Sequence, residues 1–270
     1  MASQTPTPVL VHIQLHPIKA LDPVPVNEAR IGPGGGLEFD RVWALYSADG
    51  EWVNGKRSPA VHLIRAAFAP DLSSVTLSVS PPGDRRKSPA KTFAFPSGAD
   101  DAAKWFSAFF EQPITVRHSP AGFPDETVAN GPTIISTASL QTIAGLFPGM
   151  TLEDVRLRFR TTLEIDGVPA LWEDQLFTAE ENRFVRFRIG DVEFEGSHPC
   201  ARCPVPPRDP KTGEIIPGFQ KTFSDYRRSH IPAWCPEARF DHYYRLATNT
   251  RVASVETGKV LRVNDPLVLL

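Results

Sequence analysis

Proline is the residue that most constrains what this chain can fold into. The sequence contains 27 prolines in 270 residues, about twice the share of ~5% that is usual in soluble proteins. Proline fixes φ and lacks a backbone N–H, so it is excluded from helix interiors and from the central positions of strands. We therefore expect short regular segments separated by turns, with no long helix dominating the fold.

Most of the regular segments are predicted to be strands. Two pairs of apolar runs predict hairpins, with turns at residues 49–50 (Asp-Gly) and 190–191 (Gly-Asp). The C-terminal run GKVLRVNDPLVLL predicts two further strands, joined at residues 264–266. Strands that come in blocks, without regular alternation with helices, favour a mainly β architecture with a few helices (α+β), built as barrel-like units.

Helical patterns are few. They are expected in three segments, 99–112, 136–147 and 221–228. Asp100 or Asp101 is predicted to cap the first helix and Ser136 the second, because side chains with a short oxygen acceptor are preferred at helix N-termini. A glycine-rich segment at 32–40 lacks the G-x-G-x-x-G spacing, and no helical pattern follows it, so we expect a loop rather than a dinucleotide-binding turn.

A change in composition predicts where the chain divides. Residues 118–131, HSPAGFPDETVANG, are rich in turn-forming residues and interrupt the pattern of strands. We expect a hinge there, between an N-terminal β unit at 1–125 and a C-terminal β unit at 126–270.

Charge and hydropathy exclude several classes of partner. The formal net charge is −2, so no global positive field attracts nucleic acid or an anionic membrane, and any anion site must be a local cluster of cations. No apolar run approaches the ~20 residues that span a bilayer. The odd count of three cysteines is typical of a reducing compartment. With no signal or transit peptide recognised at the N-terminus, a cytoplasmic location is expected.

Two of the cysteines lie in the segment SHPCARCPVPPRDPKTGE, residues 197–214. A zinc site would combine Cys200, Cys203 and Cys235 with His198 or His230, but Cys235 has no second ligand close to it in sequence. A thioredoxin-like redox pair needs a helix after its first cysteine, whereas the prolines here favour an extended backbone. The remaining alternatives are two buried cysteines that act as small apolar residues, or one thiolate favoured by its basic neighbours and held on a stiff loop.

This segment resembles the cysteine loop of MOSC-domain proteins, a family named after the C-terminal domain of molybdenum-cofactor sulfurase. In that family a C-x-R-C segment leads to a D-P-x-T-G turn. The upstream RFRIGDVEFEGSHPC resembles the strand pair that delivers the loop, and VLRVNDPLVLL resembles the closing strand. Residues 15–64 resemble the β-barrel module that precedes the MOSC domain in larger members, among them the mitochondrial amidoxime-reducing component and its bacterial relatives. The resemblance implies an N-terminal β-barrel-like module followed by a MOSC β-barrel.

The resemblance also implies a cofactor and its contacts. In the family the second cysteine of C-x-R-C ligates the molybdenum of a pterin cofactor (Mo-molybdopterin), so this role falls on Cys203, and a soft thiolate suits the metal. The residues expected to contact the cofactor by this resemblance are Lys19, Arg41, Arg57, Arg160 and Thr162. Fixed cations of this kind are what a phosphate group requires.

The chain departs from the family pattern at several positions. Ala20 replaces the usual serine after the lysine, and Thr161 and Thr162 replace a proline and an asparagine after the arginine. Pro206 and Pro207 replace paired threonines in the cysteine loop. These departures bear on substrate, on cofactor affinity, or on whether cofactor is bound. Cys200 is expected to pack beside Cys203, and Cys235 to be structural.

The function that the resemblance implies is reduction of N-hydroxylated small molecules by a molybdenum-pterin enzyme. A separate electron-donor protein, a cytochrome- or flavin-type reductase, would supply the electrons, because the chain has no flavin, haem or iron–sulfur motif of its own. Two alternatives remain open: a sulfur carrier that forms a persulfide on Cys203, and a non-catalytic protein that binds the cofactor. No nucleic acid and no membrane are expected among the partners.

Overall fold

A computed structural model describes residues 7–80, 88–126 and 128–270, and it confirms a mainly β fold with a few helices. The strands are β1 (Val9–Leu15), β2 (Val24–Val26), β3 (Glu28–Arg30), β4 (Trp43–Ser47), β5 (Ile64–Phe68), β6 (Ser74–Val79), β7 (Lys91–Ala94), β8 (Ile114–His118), β9 (Ile134–Ser136), β10 (Leu163–Asp166), β11 (Val185–Ile189), β12 (Val192–Ala201), β13 (Arg245–Arg251), β14 (Val260–Arg262) and β15 (Leu267–Leu269). The helices are α1 (Ala99–Phe110), α2 (Thr137–Gly145), α3 (Leu152–Phe159) and α4 (Phe219–Ser229). Short 3₁₀ turns cover Pro59–Leu63, Trp172–Leu176, Glu237–Arg239 and Ser254–Glu256.

The largest sheet joins strands from both ends of the chain. Its order is β15-β11-β12-β13-β9-β10-β1-β2. The pair β9–β10 is parallel, and the other neighbouring strands of this sheet are antiparallel. A separate pair, β3 with β14, continues the contact between the N-terminal and C-terminal segments. The sheet is therefore built from residues more than 200 positions apart in sequence.

Backbone hydrogen bonds draw the two ends of this sheet together. The Leu10 amide donates to the Asp265 carbonyl at 2.9 Å, and the Leu267 amide donates to the Pro8 carbonyl at 2.8 Å. Beside them, Val9 and Pro266 form an antiparallel bridge. The apolar side chains that face inward from β1, β10, β11 and β12 form one fully buried core. Strands β1 and β2 thus belong to the large sheet, and Leu10, Ile13, Leu15, Ala29 and Ile31 belong to the core of the C-terminal half.

A second core belongs to the N-terminal half. The pair β4–β8 and the three-stranded sheet β5-β6-β7 pack with α1 around buried residues that run from Ile18 to Ile114. Helix α1 lies where the sequence predicts it, but its predicted cap is wrong. Gly98 occupies the N-cap position without a side-chain hydrogen bond, and Asp100 and Asp101 lie in the first turn, where acidic groups favour the helix dipole.

The helices of the C-terminal half form a third core. Helix α2 is capped by Ser136, as predicted, whose hydroxyl accepts a hydrogen bond from the Ser139 amide at 3.1 Å. Helix α4 covers the short helical segment expected at 221–228. Helix α3 was not predicted, although Thr151 and Asp154 form a capping box at its start. Phe159 of α3 and Phe219 of α4 lie in the same buried cluster, so the two helices pack against each other.

The predicted hairpins have different outcomes. Strands β11 and β12 pair as predicted, with Ile189 opposite Val192. The turn at 49–50 is also present, and Gly50 has a positive φ of 78° that glycine adopts without strain. However, β4 pairs along its length with β8, and the hairpin itself is reduced to one bridge between Tyr46 and Trp52. The strands β14 and β15 enter different sheets.

The division of the chain at 125/126 stays a prediction. The pairing of β1 with β10 and of β3 with β14 crosses this division, as does the apolar core shared by Leu10 and Ile165. The expected hinge at 118–131 follows β8, and Asn130 within it donates to the carbonyls of Gly34 and Val252, which lie on either side of the division. The expectation about a signal peptide rests in part on residues 1–6, which lie outside the described residues.

We predict that the fragment 126–270 does not fold by itself. It lacks Leu10, Ile13, Leu15 and Ile31, which are 0–2% exposed in the core shared with β10 to β12. Each buried leucine or isoleucine contributes about 1.5–3 kcal/mol, and a domain has only about 5–15 kcal/mol of net stability. The measurement is amide-proton dispersion in a ¹H–¹⁵N NMR spectrum of the fragment.

The full chain is the positive control, and a peptide of residues 7–31 added to the fragment should restore dispersion. A well-dispersed spectrum from the fragment alone would contradict the prediction.

Candidate functional site

One cavity of about 430 Å³ lies where the two halves of the chain meet. Its walls come from the N-terminal half, from residues 121–126 and 129–133, from the end of α3 and from the cysteine loop that follows β12. Eight lysines and arginines of the described residues line it, against four carboxylates, in a chain whose net charge is −2. These cations are Lys19, Arg41, Lys56, Arg65, Arg158, Arg160, Arg202 and Arg208. The cavity is therefore the local cluster of positive charge that an anion site requires.

Arg158 fixes the backbone of the cysteine loop. This residue is 6% exposed on α3, and its guanidinium donates to the Pro206 carbonyl at 3.1 Å and to the Arg208 carbonyl at 2.5 Å. The Arg208 amide in turn donates to the Val205 carbonyl at 2.8 Å, so the chain turns at Pro206 and Pro207. The extended course expected from the prolines is wrong at this point. The stiffness expected from them remains, because φ is fixed at both prolines.

The three cysteines have different surroundings. Cys203 lines the cavity as a half-buried free thiol. Cys200 also reaches the cavity, packs against the helical core, and accepts a hydrogen bond from Arg202 at 3.1 Å. Cys235 lies beside Asp174 and Arg227, where burial and then the Asp174 carboxylate raise the pKa of its thiol to about 12.

The alternative metal and redox sites are not assembled. In the ranges that the structure describes, no group of three or more His, Cys, Asp or Glu side chains is placed to hold a metal ion. His198 instead bonds Glu126 through Nε2 at 2.8 Å. No helix begins at the cysteine pair, since α4 starts only at Phe219. The zinc set and the thioredoxin-like pair are therefore not supported by the geometry.

Lys19 lies in the cavity wall with its ammonium already partnered. Its Nζ atom is 2.8 Å from Asp125 Oδ1, donates to the Phe123 carbonyl at 2.9 Å, and lies 3.7 Å from the centroid of the Trp52 ring. Burial lowers the pKa of Lys19, while the Asp125 carboxylate acts in the opposite direction. The lysine is thus held at a fixed position between an aromatic face and a carboxylate.

Asp40 holds Arg41 in place. Its carboxylate pairs with the Arg41 guanidinium and accepts the backbone amide of His16 at 2.8 Å. Burial is the largest influence and acts to raise the pKa of Asp40, but the charge of Arg41 and the hydrogen bonds and charge of His16 together outweigh it, and the pKa falls to about 2. Arg41 also donates to the Arg160 carbonyl at 3.1 Å. His16 is fully buried beneath this group, and burial followed by the charges of Arg160 and Arg41 lowers the pKa of its imidazole.

Arg160 ends α3 and offers its guanidinium to the cavity. It adopts a left-handed conformation with φ of 52°, and its own backbone amide donates to the Arg156 carbonyl. Its guanidinium has no hydrogen bond or ion pair with any residue that the structure describes. Burial and then the charge of Arg41 lower its pKa to about 10, so it remains charged at neutral pH. An unpaired, half-buried guanidinium is a strong donor for an anion.

Thr162 follows Arg160 in the wall of the cavity. It is 2% exposed, and its backbone amide donates to the Thr133 hydroxyl at 3.1 Å. Ala20, beside Lys19, also lines the cavity and has a positive φ of 73°. Ala20 and Thr162, two of the positions where the chain departs from the family pattern, therefore lie at the site.

The structure brings together five of the six predicted site residues. They are Cys203, Lys19, Arg41, Arg160 and Thr162. Arg57 is not among the lining residues, because its guanidinium turns outward to pair with Glu51 at the surface. Its neighbour Lys56 lines the cavity instead. The cofactor roles of the five remain predictions.

Several lining residues were not found from the sequence. Arg158 lies on the unpredicted helix α3, and its signal was the capping box TLED at the start of that helix. His62 and Arg65 lie near β5, where their place in the cavity depends on contacts with the cysteine loop 145 or more residues away. Arg208 is one of the basic neighbours of the thiols in sequence, but no role at the site is predicted for it from the sequence.

The residues present fit an anionic cofactor that carries a soft metal. The cavity volume of about 430 Å³ is within the usual range of small-molecule sites. Buried nitrogen atoms without a partner among the described residues include Arg158 Nε, Arg65 Nε and His62 Nε2. A free thiol beside this set supplies the sulfur ligand that such a metal prefers.

Comparison with known families agrees with this geometry. The N-terminal β-barrel domain model that accompanies MOSC domains matches residues 7–113, and the MOSC domain model matches residues 132–268. The chain belongs to the MOSC-domain family. Proteins of this family are associated with the molybdenum cofactor.

Individual relatives are distant but cover most of the chain. The mitochondrial amidoxime reducing component 2 of Homo sapiens is 26% identical over 285 residues, covering 94% of this chain and 81% of the relative. The protein from Bos taurus is also 26% identical, over 94% of this chain and 80% of its own. A molybdenum cofactor sulfurase of Caenorhabditis briggsae is 25% identical, and the match covers 94% of this chain but only 36% of that protein.

Two further comparisons concern fold and location. The solved YuaD protein of Bacillus subtilis matches over 96% of this chain and 94% of its own, with 10% identity and a TM-score of 0.37, a similarity too low to bear on function. Among the described residues, no helix is long and apolar enough to cross a membrane. The relatives named as amidoxime reducing components are mitochondrial proteins by name, so the expected cytoplasmic location is not confirmed.

We predict that Asp40→Asn destabilises the protein in a pH-dependent way. Removing one partner of a largely buried pair costs about 3–5 kcal/mol. The pKa of Asp40 is about 2 in the folded protein and 3.8 in its reference state. The depressed pKa stabilises the fold above pH 3.8 and is lost as the pH falls through about 2. The free energy of unfolding in urea should therefore differ most at pH 7, and the difference should shrink as the pH falls below 4.

The matched control is Asp101→Asn, because Asp101 is an exposed carboxylate paired with Lys104 at 2.7 Å. It should change stability little at either pH. A difference between wild type and Asp40→Asn that does not vary with pH would show that Asp40 carries no such linkage.

Proposed function

We propose that this protein is a molybdenum-pterin oxidoreductase that reduces N-hydroxylated small molecules. The observation that carries the proposal is the position of Cys203, a free thiol in a cavity whose walls are rich in fixed cations. Membership of the MOSC-domain family and similarity over 94% of the chain to proteins named amidoxime reducing component support it.

Different cavity residues would bind different parts of the cofactor. Cys203 would ligate molybdenum through its thiolate, which is the form of cysteine that binds metals. Lys19, Arg41 and Arg160 would bind the phosphate of the pterin by charge-assisted hydrogen bonds. Thr162 would contact the cofactor from the wall in which Arg160 lies. When bound, the cofactor supplies the two-electron chemistry that removes an oxygen atom from nitrogen.

Each cation would contribute differently. Arg160 has no partner among the described residues, so its guanidinium binds an anion without first breaking another ion pair. Arg41 is fixed by Asp40 and by the Arg160 carbonyl, so it loses little side-chain entropy on binding. Lys19 is already paired with Asp125, so its interaction with a phosphate is partly offset by the pair it shares. Arg160 is therefore the main anchor in this proposal.

The reaction balances with two electrons and two protons. An amidoxime R–C(NH₂)=N–OH takes up both and gives the amidine R–C(NH₂)=NH and water, so the N–O bond breaks and the nitrogen is reduced. The electrons would come from a separate donor protein of cytochrome or flavin type. The substrate is a small molecule, in keeping with a cavity of about 430 Å³.

The departures from the family pattern leave most of the proposed cofactor-binding residues in place. Ala20 removes one hydroxyl donor beside Lys19, but Arg160 offers an unpaired guanidinium on another wall. Pro206 and Pro207 remove two hydroxyl groups from the cysteine loop. Their carbonyls are instead used within the protein, by Arg158 and by the Ile216 amide. The changes would alter contacts with substrate more than the position of Cys203.

We predict that the protein from a host that makes the cofactor contains about one molybdenum per chain and reduces benzamidoxime with a chemical electron donor. Cys203→Ala should lose the bound molybdenum and the activity, because the thiolate ligand is removed. Cys235→Ala is the matched control, since Cys235 lies with Asp174 and Arg227. Metal analysis, pterin fluorescence and product formation are measured on all three proteins.

The same experiment separates the alternatives. Absence of molybdenum from the wild-type protein would overturn the proposed function. Bound cofactor without benzamidoxime reduction would indicate a non-catalytic cofactor-binding protein. A separate labelling experiment tests the remaining alternative: sulfane sulfur that is present in the wild type and absent in Cys203→Ser would favour a sulfur carrier, which similarity to a molybdenum cofactor sulfurase supports.

We predict that Arg160→Gln and Arg57→Gln differ in cofactor occupancy. Arg160 offers an unpaired guanidinium inside the cavity, whereas Arg57 pairs with Glu51 outside it. Loss of a charge-assisted hydrogen bond of about 1.5–3 kcal/mol weakens binding roughly tenfold or more. Pterin content measured at limiting cofactor should fall in Arg160→Gln and stay near wild type in Arg57→Gln. An equal loss of pterin in both variants would show that Arg57 also contributes to cofactor binding.

A further inference from the structure

Four of the cationic residues of the cavity form two groups, with Arg160 between them. Lys19 and Arg41 form the first group, with the carboxylates of Asp125 and Asp40. Arg65 and Arg208 form the second, beside the imidazole of His62. The guanidinium of Arg160 is close enough to act on His16 in the first group and on His62 in the second. One phosphate at the first group leaves Arg208 in the second without a counter-ion among the described residues.

The carboxylates near the second group are already occupied. Asp22 pairs with Arg65 at 3.0 Å and accepts the Ala66 amide at 3.0 Å. Asp209 accepts two backbone amides of its own turn and lies 3.5 Å from Arg158. Neither carboxylate pairs with Arg208, whose guanidinium makes one described hydrogen bond, to the Gly213 carbonyl at 3.2 Å. Arg208 therefore has donors left over.

His62 lies at the junction of the two halves. Its Nε2 atom would be 2.7 Å from a Cβ atom at Gly55, and the same Cβ would be 3.3 Å from Val205 on the cysteine loop. Nε2 is buried and has no hydrogen-bond partner among the described residues. Burial, then the charges of Arg160, Arg208 and Arg65, lower the pKa of His62 to about 4, against a smaller opposite effect of Asp209. The imidazole is thus neutral and unpartnered among cations.

We infer that His62, Arg160 and Arg208 form a second anion subsite that binds a negatively charged group of the substrate, such as a carboxylate. We call these three residues the His62 subsite. Arg160 and Arg208 supply unpaired guanidinium donors, and His62 supplies a ring nitrogen that can donate. Arg208 lies on the same loop as Cys203, so a bound carboxylate would lie beside the proposed metal ligand.

The substrate class follows from this subsite. This inference rests on the proposed function. The preferred substrates are N-hydroxylated compounds that carry a carboxylate, rather than neutral compounds of the same shape. Arg65 would support the subsite indirectly, because it donates to the His62 carbonyl at 2.7 Å and to the Pro210 carbonyl at 3.0 Å. These two bonds tie His62 to the loop that carries Arg208.

The first test measures binding without turnover. Benzoate is titrated into the protein, with and without bound cofactor, and the His62 imidazole signals are followed by NMR after assignment with His62→Asn. Benzoate should raise the pKa of His62, because an anion stabilises the imidazolium, and benzamide should not. Arg208→Gln should weaken benzoate binding about tenfold or more. Arg188→Gln, a change at an exposed position of β11, should bind as wild type does.

Two results of this titration would overturn the inference. One is the absence of any effect of benzoate on His62. The other is a response confined to the cofactor-free protein, which would show that the His62 subsite belongs to the cofactor's own phosphate.

The second test compares substrates. Benzamidoxime with a para-carboxylate should have a kcat/KM at least about tenfold above that of its para-carboxamide, and Arg208→Gln should abolish this ratio. Turnover of both compounds at equal rates would overturn the inference and leave the proposed function intact. Turnover of neither compound would overturn the proposed function, and the benzoate titration would then decide the subsite alone.

Discussion

The backbone hydrogen bonds between the start of β1 and residues 264–267 are the contacts on which the rest of the structure depends. They join the start of the first described strand to the start of the last. Segments far apart in sequence are thereby held in one core, with Leu10 and Ile13 packed among the strands of the C-terminal half. The chain leaves β1 and passes directly into Lys19, which is why a residue near the N-terminus faces a loop that begins at residue 200.

The cavity is a product of this arrangement rather than of either half alone. Arg158 holds the cysteine loop from the C-terminal side through two carbonyls. Arg65 holds the same loop from the N-terminal side through the Pro210 carbonyl at 3.0 Å. Cys203 is thus presented on a loop tied to both halves, with two prolines limiting its backbone. Most of the charged side chains that would repel one another are anchored by backbone oxygens or carboxylates, as Lys19, Arg41 and Arg158 are, whereas the Arg160 guanidinium has no partner among the described residues.

Local signals in the sequence were sufficient for part of this structure. The Gly-Asp turn between β11 and β12, the Ser136 cap and the cysteine loop were predictable because each depends on neighbouring residues. The partner of β4 could not be predicted, because β4 pairs with β8, which begins at residue 114, and no turn in the sequence connects the two strands directly. Arg57 and Lys56 illustrate the same limit at the site. Two adjacent cations look alike in sequence, and only the course of the backbone decides which one faces the cavity.

The pairing of Lys19 with Asp125 has a thermodynamic consequence for any ligand of the cavity. A buried ammonium without a counter-ion would be costly, and Asp125 offsets part of that cost. Asp125 therefore competes with an incoming anion for the ammonium group of Lys19. An incoming anion gains from Lys19 only the difference between two ion pairs, so selectivity among anions depends on geometry more than on charge. The Asp125 carboxylate therefore stabilises the protein and at the same time weakens the binding of an anion to Lys19.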